Sequence, residues 1–184
     1  AAEQNVKVLI LDRPNPNGYF VDGPVLEEKF KSFVGMHSIP VVHGLTIGEY
    51  SLMINGEGWL SNNQKCDIDV IKMDGYDHNM RYSLPFYPSP NLKTDESIYL
   101  YPSLCLFEGT EISLGRGTEK PFQIYGHPQL LEGDYYFTPI PIKGVSENPP
   151  QNGKKCRGYD LTEYAQSHLN TTNAFDIKYL LQAY

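Results

Sequence analysis

The apolar run Val6-Lys7-Val8-Leu9-Ile10-Leu11 is almost unbroken, the pattern of a short strand buried on both faces, as in a parallel sheet. It stops at Asp12-Arg13-Pro14-Asn15-Pro16-Asn17-Gly18, a turn-forming stretch. Ahead of it, Ala1-Ala2-Glu3-Gln4 reads as the last turn of a helix. Residues 24–33 are expected as a short helix and loop. A second apolar run, residues 39–42, ends at His43-Gly44. Thr46-Ile47-Gly48-Glu49 then has the form of a capping box, with Thr46 accepting from the third helical amide and Glu49 reaching back. Ile47, Tyr50 and Ile54 give that helix a stripe expected to be buried, and Gly56 and Gly58 end it. Residues 69–73 form the next strand. Residues 1–80 are thus read as β–(α)–β–α–β, the later half of an α/β sheet domain.

The pattern changes after Tyr76. Residues 82–92 carry Pro85, Pro88 and Pro90 among Tyr82, Phe86 and Tyr87. Aromatic residues at this density suit a packed crossing better than a flexible linker. Residues 81–184 are read as a smaller α+β unit. Thr94 caps a short helix through Ile98 and Leu100; Leu104-Cys105-Leu106-Phe107 is expected as a strand; Glu108-Gly109-Thr110 and Gly115-Arg116-Gly117-Thr118 form a glycine-rich loop. Residues 122–125, 135–138 and 157–161 are further strands. Asn148-Pro149-Pro150-Gln151-Asn152-Gly153 is an exposed turn, and residues 175–184 are helical by their Phe175, Tyr179 and Leu180 spacing. Because this pattern stops without a cap, and Ala1-Ala2 starts within a helical turn, the 184 residues are expected to be a fragment of a longer chain.

Composition narrows the function classes. Fifteen basic against 22 acidic residues give a net charge of −7, with no basic block, which argues against nucleic acid. No run approaches the roughly 18 apolar residues of a membrane span. Only 20% of residues are charged and 14 are Tyr, so the chain is no disordered tail. Cys66, Cys105 and Cys156 are widely spaced without a CxxC, so a zinc knuckle is not indicated and an odd count favours buried free thiols. His37, His43, His78, His127 and His168 are scattered, and no metal site is argued from them. No cofactor fingerprint occurs; in particular GRGT lacks the lysine and spacing of a phosphate loop.

The candidate chemistry sits at element ends. Asp12-Arg13 follows a strand, where ligands bind in open α/β sheets. The pair can take sugar hydroxyls and a carboxylate, or can be an Asx-turn beside a surface arginine. His43 precedes a helix N-terminus and can orient an anionic substrate or serve the fold. Glu49 can act as a general acid or as the capping residue, with the box favouring the cap. Arg116, flanked by glycines, can be presented to an anion or can tie its loop to Glu108 or Glu111. Trp59 and the Tyr and Phe residues can include one sugar-stacking platform, while most of them belong to the core.

Taken in order, LDRPNPNG, VDGP, FVG, IPVVHGLTIGEY, PSPNLKT, YPSLCLFEGTEISLGRGTEKPF and FTP resemble the NamZ-type exo-β-N-acetylmuramidase family, long known as a conserved domain of unknown function. These motifs run from Leu11 to Pro139. The resemblance implies a Rossmann-like domain followed by a smaller auxiliary domain, with a cleft between them. It implies a glycoside hydrolase that releases N-acetylmuramic acid from the non-reducing ends of peptidoglycan fragments, in a periplasmic or extracytoplasmic setting. Asp12, Arg13, Asn15, His43, Thr46, Glu49, Asn91, Glu108, Thr110, Arg116 and Thr118 are the motif positions it places near the cleft. Leu45 and Glu111 stand where Met and Asn are common in the family. The family's upstream Gly-Pro-Glu-His-Gly segment, expected to supply the acid carboxylate, is absent from these residues. Glycoside hydrolysis generally needs paired groups, so the catalytic pair is left unassigned and this piece is expected to be inactive alone. The substrate's lactyl carboxylate calls for a cation, Arg13 or Arg116. Two other readings stay open: a non-catalytic cell-wall carbohydrate-binding module, and a nucleotide-sugar-binding α/β protein, which the missing phosphate loop disfavours.

Overall fold

The computed structural model describes residues 1–169, 171 and 174–184. Helices and small sheets are mixed along the chain, which divides into two compact units, Ala1–Tyr82 and Ser83–Tyr184.

In the first unit, β1 (Val8–Leu11) pairs in parallel with β4 (Ile68–Ile71), with Leu9 opposite Asp69 and Leu11 opposite Ile71. β2 (Asp22–Val25) and β3 (Pro40–Val42) form a separate antiparallel pair. Of the short helix and loop expected over residues 24–33, Pro24 and Val25 are taken up by the end of β2, the helical part is a single 3₁₀ turn, Glu28–Phe30, and most of the rest is loop. A proline in β2 is tolerated because the pair is short and has free edges. Helix α1 (Ile47–Gly56) is closed at its start by the full capping box and at its end by a Schellman turn. There the Trp59 N–H donates to the Ile54 carbonyl at 3.0 Å across Gly58 at φ +72°. The Ala2–Gln4 turn is 3₁₀ and ends at left-handed Asn5. Helix α1 covers one face of the β1–β4 pair. The opposite face is open: Leu9, Leu11 and Ile71 are 60%, 68% and 54% exposed. Parallel sheets are normally covered on both faces.

The second unit has its own core. Helix α2 (Asp95–Leu104) begins with a capping box of Thr94 and Ser97. It runs straight into a 3₁₀ segment, Cys105–Gly109, so the strand expected at residues 104–107 is helical. A short apolar run cannot by itself separate a buried strand from a buried helix turn. Here Leu100, Leu104 and Phe107, three and four residues apart, enter the core together. Three strands form an antiparallel sheet in the order β5 (Ile124–His127), β7 (Cys156–Asp160), β6 (Tyr135–Phe137). Phe122, expected in the first of these strands, precedes it in a left-handed conformation, φ 57°. Tyr125 is fully buried, stacks on Phe107 at 5.3 Å, and donates its hydroxyl to Gln182 Oε1 at 3.0 Å. That bond fastens α4 (Lys178–Ala183) to the core, beside α3 (Thr162–His168). All three cysteines are free thiols, and burial pushes Cys105 and Cys156 up to about 11.

The sheet of this unit depends on the missing side chain of Gly158. A Cβ there would lie 1.8 Å from the Tyr125 carbonyl oxygen and 2.6 Å from the Gly126 Cα, both backbone atoms. Gly158→Ala is expected to cost about 3 kcal/mol or more, because the backbone must give way. Urea unfolding followed by tyrosine fluorescence checks this; an unchanged midpoint contradicts the packing.

Candidate functional site

The ladder of β1 continues one residue past the strand, where the Asp12 N–H donates to the Ile71 carbonyl at 3.0 Å. This sets the Asp12 carboxylate against the N-terminus of α1. Its Oδ1 accepts from the Gly48 N–H at 2.9 Å and the Arg13 N–H at 3.0 Å; its Oδ2 accepts from the Thr46 hydroxyl at 2.7 Å. Helix N-termini favour a negative charge in this position. Thr46, 3% exposed, uses one hydroxyl in both directions, since it also accepts from the Glu49 N–H at 3.2 Å. Gly48 permits the approach: a Cβ there would lie 2.6 Å from Val70 Cγ1 and 2.8 Å from Asp12 Cγ.

Glu49 is shared. Its Oε2 accepts from the Thr46 N–H at 2.9 Å and its Oε1 meets His78 Nε2 at 2.9 Å. The other ring nitrogen, Nδ1, lies 2.8 Å from the Gly18 carbonyl. Both nitrogens face acceptors, so both contacts are satisfied together only by the doubly protonated ring. The bond to Glu49, followed by that to Gly18, raises the His78 pKa. For Glu49, burial is the largest influence and acts upward. The Thr46 amide and then His78 outweigh it, and the net shift is down. The two shifts favour the ionised form of Glu49, in keeping with its place in the cap, and the protonated form of His78. Asp12, Thr46, Glu49, Lys72, Tyr76 and His78 line a cavity of about 220 Å³. Burial first of all raises the Tyr76 pKa, and its hydroxyl donates to the Asn15 carbonyl at 3.4 Å.

Of the other sequence candidates in this unit, Asn15 ties loops together. Its amide donates to the Leu45 carbonyl at 3.0 Å and its oxygen accepts from Asn17 N–H at 2.9 Å. His43 Nδ1 accepts from the Leu45 N–H at 3.1 Å, so its proton sits on Nε2; burial lowers its pKa, and the ring stacks on Tyr50 at 5.6 Å. Arg13 is exposed, and no ion pair holds it among the described residues.

In the second unit, Arg116 is paired with Glu108, which also accepts from the Tyr101 hydroxyl at 3.4 Å, and lies 5.1 Å over the Phe122 ring. The tie to Glu108 is the alternative the sequence left open, and the pair leaves Arg116 Nε buried without a partner among the described residues. Asn91 donates to the Val145 carbonyl at 3.3 Å while its Oδ1 is likewise buried and unpartnered. Thr110 and Thr118 donate to the Phe107 and Gly115 carbonyls three residues back, closing local turns. Among the described residues no group of three or more His, Cys, Asp or Glu is placed to hold a metal, and no helix is long and apolar enough to cross a membrane.

Nothing in the sequence singles out His78, Tyr76 or Gly48 as site residues. His78 lies 29 positions from Glu49 in a loop without periodicity, and no local signal marks it.

Residues 1–96 match the family model described as exo-beta-N-acetylmuramidase NamZ, N-terminal, and residues 99–184 match its C-terminal counterpart. The chain is 44% identical over 176 residues to the peptidoglycan beta-N-acetylmuramidase NamZ of Bacillus subtilis (strain 168), covering 88% of this chain and 42% of that protein. Two DUF1343 family proteins of Bacteroides fragilis NCTC 9343 have similar crystal structures. One has a TM-score of 0.92 at 51% identity over all of this chain and 51% of its own; the other, 0.73 at 30% identity over 86% and 45%. The chain spans about half the length of these relatives.

The Glu49–His78 pair sets a pH dependence. His78, raised in the folded state, adds stability fully present below its ordinary value of 6.5 and lost as pH rises through the raised one. Glu49, lowered, adds stability present above its ordinary 4.5 and lost as pH falls through its folded value. Both act between those two values. The side chains are 45% and 43% exposed, so the gain stays at or below about 1 kcal/mol. Proton NMR is expected to titrate His78 above 6.5, and Glu49→Gln to bring it back down; a His78 titration indifferent to Glu49→Gln contradicts the pair.

Proposed function

Because the chain belongs to the NamZ exo-β-N-acetylmuramidase family, we propose that it forms half of a glycoside hydrolase that removes N-acetylmuramic acid from the non-reducing ends of peptidoglycan fragments. The observation that carries this reading is the pair of family models in tandem along the chain, joined to a carboxylate cluster at the carboxyl end of a parallel strand. That is where open α/β sheets bind ligands.

In this reading Asp12 fixes the α1 N-terminus, His78 offers a proton, and Glu49 keeps His78 charged. Arg13 takes the lactyl carboxylate, since Arg116 is already engaged by Glu108. His43, Asn15 and Thr46 position these groups. The remaining half of the parent protein supplies the acid carboxylate. It also covers Leu9, Leu11 and Ile71, completing a Rossmann-like sheet of which β1 and β4 are a part. A periplasmic or extracytoplasmic setting for the parent enzyme is part of the same proposal and rests on the family resemblance.

The test is release of chromophore from an aryl β-N-acetylmuraminide by this chain alone and by the full-length protein. Activity is expected only in the latter. Activity in neither, with saccharide binding retained, overturns hydrolysis in favour of a carbohydrate-binding module. In the full-length protein, Arg13→Ala is expected to weaken binding of N-acetylmuramic acid about tenfold, the scale of one lost charge-assisted bond. Binding of N-acetylglucosamine, which lacks the lactyl group, is expected to be unchanged. An equal loss for both sugars removes Arg13 from carboxylate recognition.

A further inference from the structure

A second group of side chains in the first unit is not used by the Asp12 cluster. Trp59 follows the Schellman turn of α1, so its backbone position is set by the helix end. His37 stacks flat on the indole, centroids 4.8 Å apart and planes 16° apart. His37 Nδ1 meets the Tyr50 hydroxyl at 2.7 Å, and Tyr50 in turn lies on His43. Four rings thus buttress one another from the surface to the loop before α1. Trp59, at the outer end, keeps 37% of its surface open. It borders a groove of about 490 Å³ together with His37, Glu28, Lys31, Ser32 and Ser38. Glu28 and Lys31 are paired at 2.6 Å on one wall.

We infer that this groove is a saccharide-binding subsite, distinct from the Asp12 cluster, that stacks an N-acetylated amino-sugar ring on Trp59. The inference of an amino sugar rests on the proposed peptidoglycan substrate; the inference of a pyranose rests on the groove itself. A pyranose has an apolar C–H face and a rim of hydroxyls. The groove offers one flat apolar ring and, around it, a carboxylate, an ammonium and two hydroxyls that can donate or accept. Because the indole is already held by His37, binding need not freeze it, which spares the ordering cost that weakens most surface sites. Burial, and then the charge of Lys31, lower the His37 pKa. The ring is therefore neutral at pH 7 and does not introduce a charge beside the sugar.

Trp59 is the single tryptophan of these 184 residues, so in this chain its emission reports on this groove alone, and in the full-length protein the Trp59 response is the part of the emission change that Trp59→Ala removes. Titration with the trimer of β-1,4-linked N-acetylglucosamine is expected to give a saturable emission change. By calorimetry, Trp59→Ala is expected to weaken the trimer about tenfold, the scale of one aromatic contact. Lys31→Ala, which leaves all four rings in place, is expected to weaken it about threefold, and Arg13→Ala not at all. Absence of a response up to about 10 mM trimer overturns the subsite. So does binding that survives Trp59→Ala in a protein with native circular dichroism. A saturable response to a cell-wall stem tetrapeptide, with none to the trimer, replaces the saccharide with a peptide and also overturns it. The two proposals fail separately: hydrolysis by the full-length protein without a Trp59 response removes only the subsite. Trimer binding at Trp59 in an inactive full-length protein removes only the hydrolase.

Discussion

The first unit hangs on one carboxylate. Asp12 closes the β1–β4 ladder through its own amide and holds the start of α1 through its side chain. Three donors converge on it, two of them from Thr46 and Gly48, which are 34 and 36 positions away. A charged acceptor bonded to amides and a hydroxyl at a helix N-terminus combines hydrogen-bond strength with the helix field. The arrangement requires glycine at position 48, because any Cβ would push into Val70 and Asp12. It also requires threonine or serine at position 46, because the same oxygen must donate to Asp12 and accept from Glu49. From Glu49 the chain of bonds passes to His78 and on to the Gly18 carbonyl, so the strand, helix and two loops share one network.

What could be read in the sequence follows the range of each interaction. The Thr46–Glu49 box was legible because capping is a matter of three residues, and it is fully formed. Asp12 was legible as a strand-end residue, though the donors that hold it are too distant in sequence to be seen. His78 was invisible for the same reason. Glu108 and Glu111 were equal candidates for Arg116, and only the folded loop decides for Glu108. Leu104-Cys105-Leu106-Phe107 misled because four apolar residues suit a strand and a buried turn alike; the capped helix upstream decided the matter by continuing. In residues 24–33 the helical turn and loop are there at Glu28–Phe30 and after it, but the strand end at Pro24 and Val25 was not legible, since Asp22–Val25 pairs with Pro40–Val42, a pairing that local propensity does not encode.

The two units differ in how complete they are as folds. The second encloses a core of Leu104, Phe107, Phe122 and Tyr125, all nearly or wholly buried, tied to its last helix by the Tyr125 hydroxyl. The first leaves a face of its parallel sheet bare, with three large aliphatic side chains in water. Surfaces of this kind mark interaction sites. The chain spans about half the length of the relatives it matches. The aromatic ladder ending at Trp59 lies in that same unit and shares α1 with the carboxylate cluster, through the adjacent residues Glu49 and Tyr50.

The Asp12 cluster is the proposed seat of the muramyl sugar. The direct measurement is an amide chemical-shift map of the full-length protein titrated with N-acetylmuramic acid. Saturable shifts are expected at Asp12, Arg13, Thr46, Gly48 and Glu49, with a matching change in the His78 ring. Shifts confined to other parts of the chain, with these amides unmoved at saturation, would contradict it.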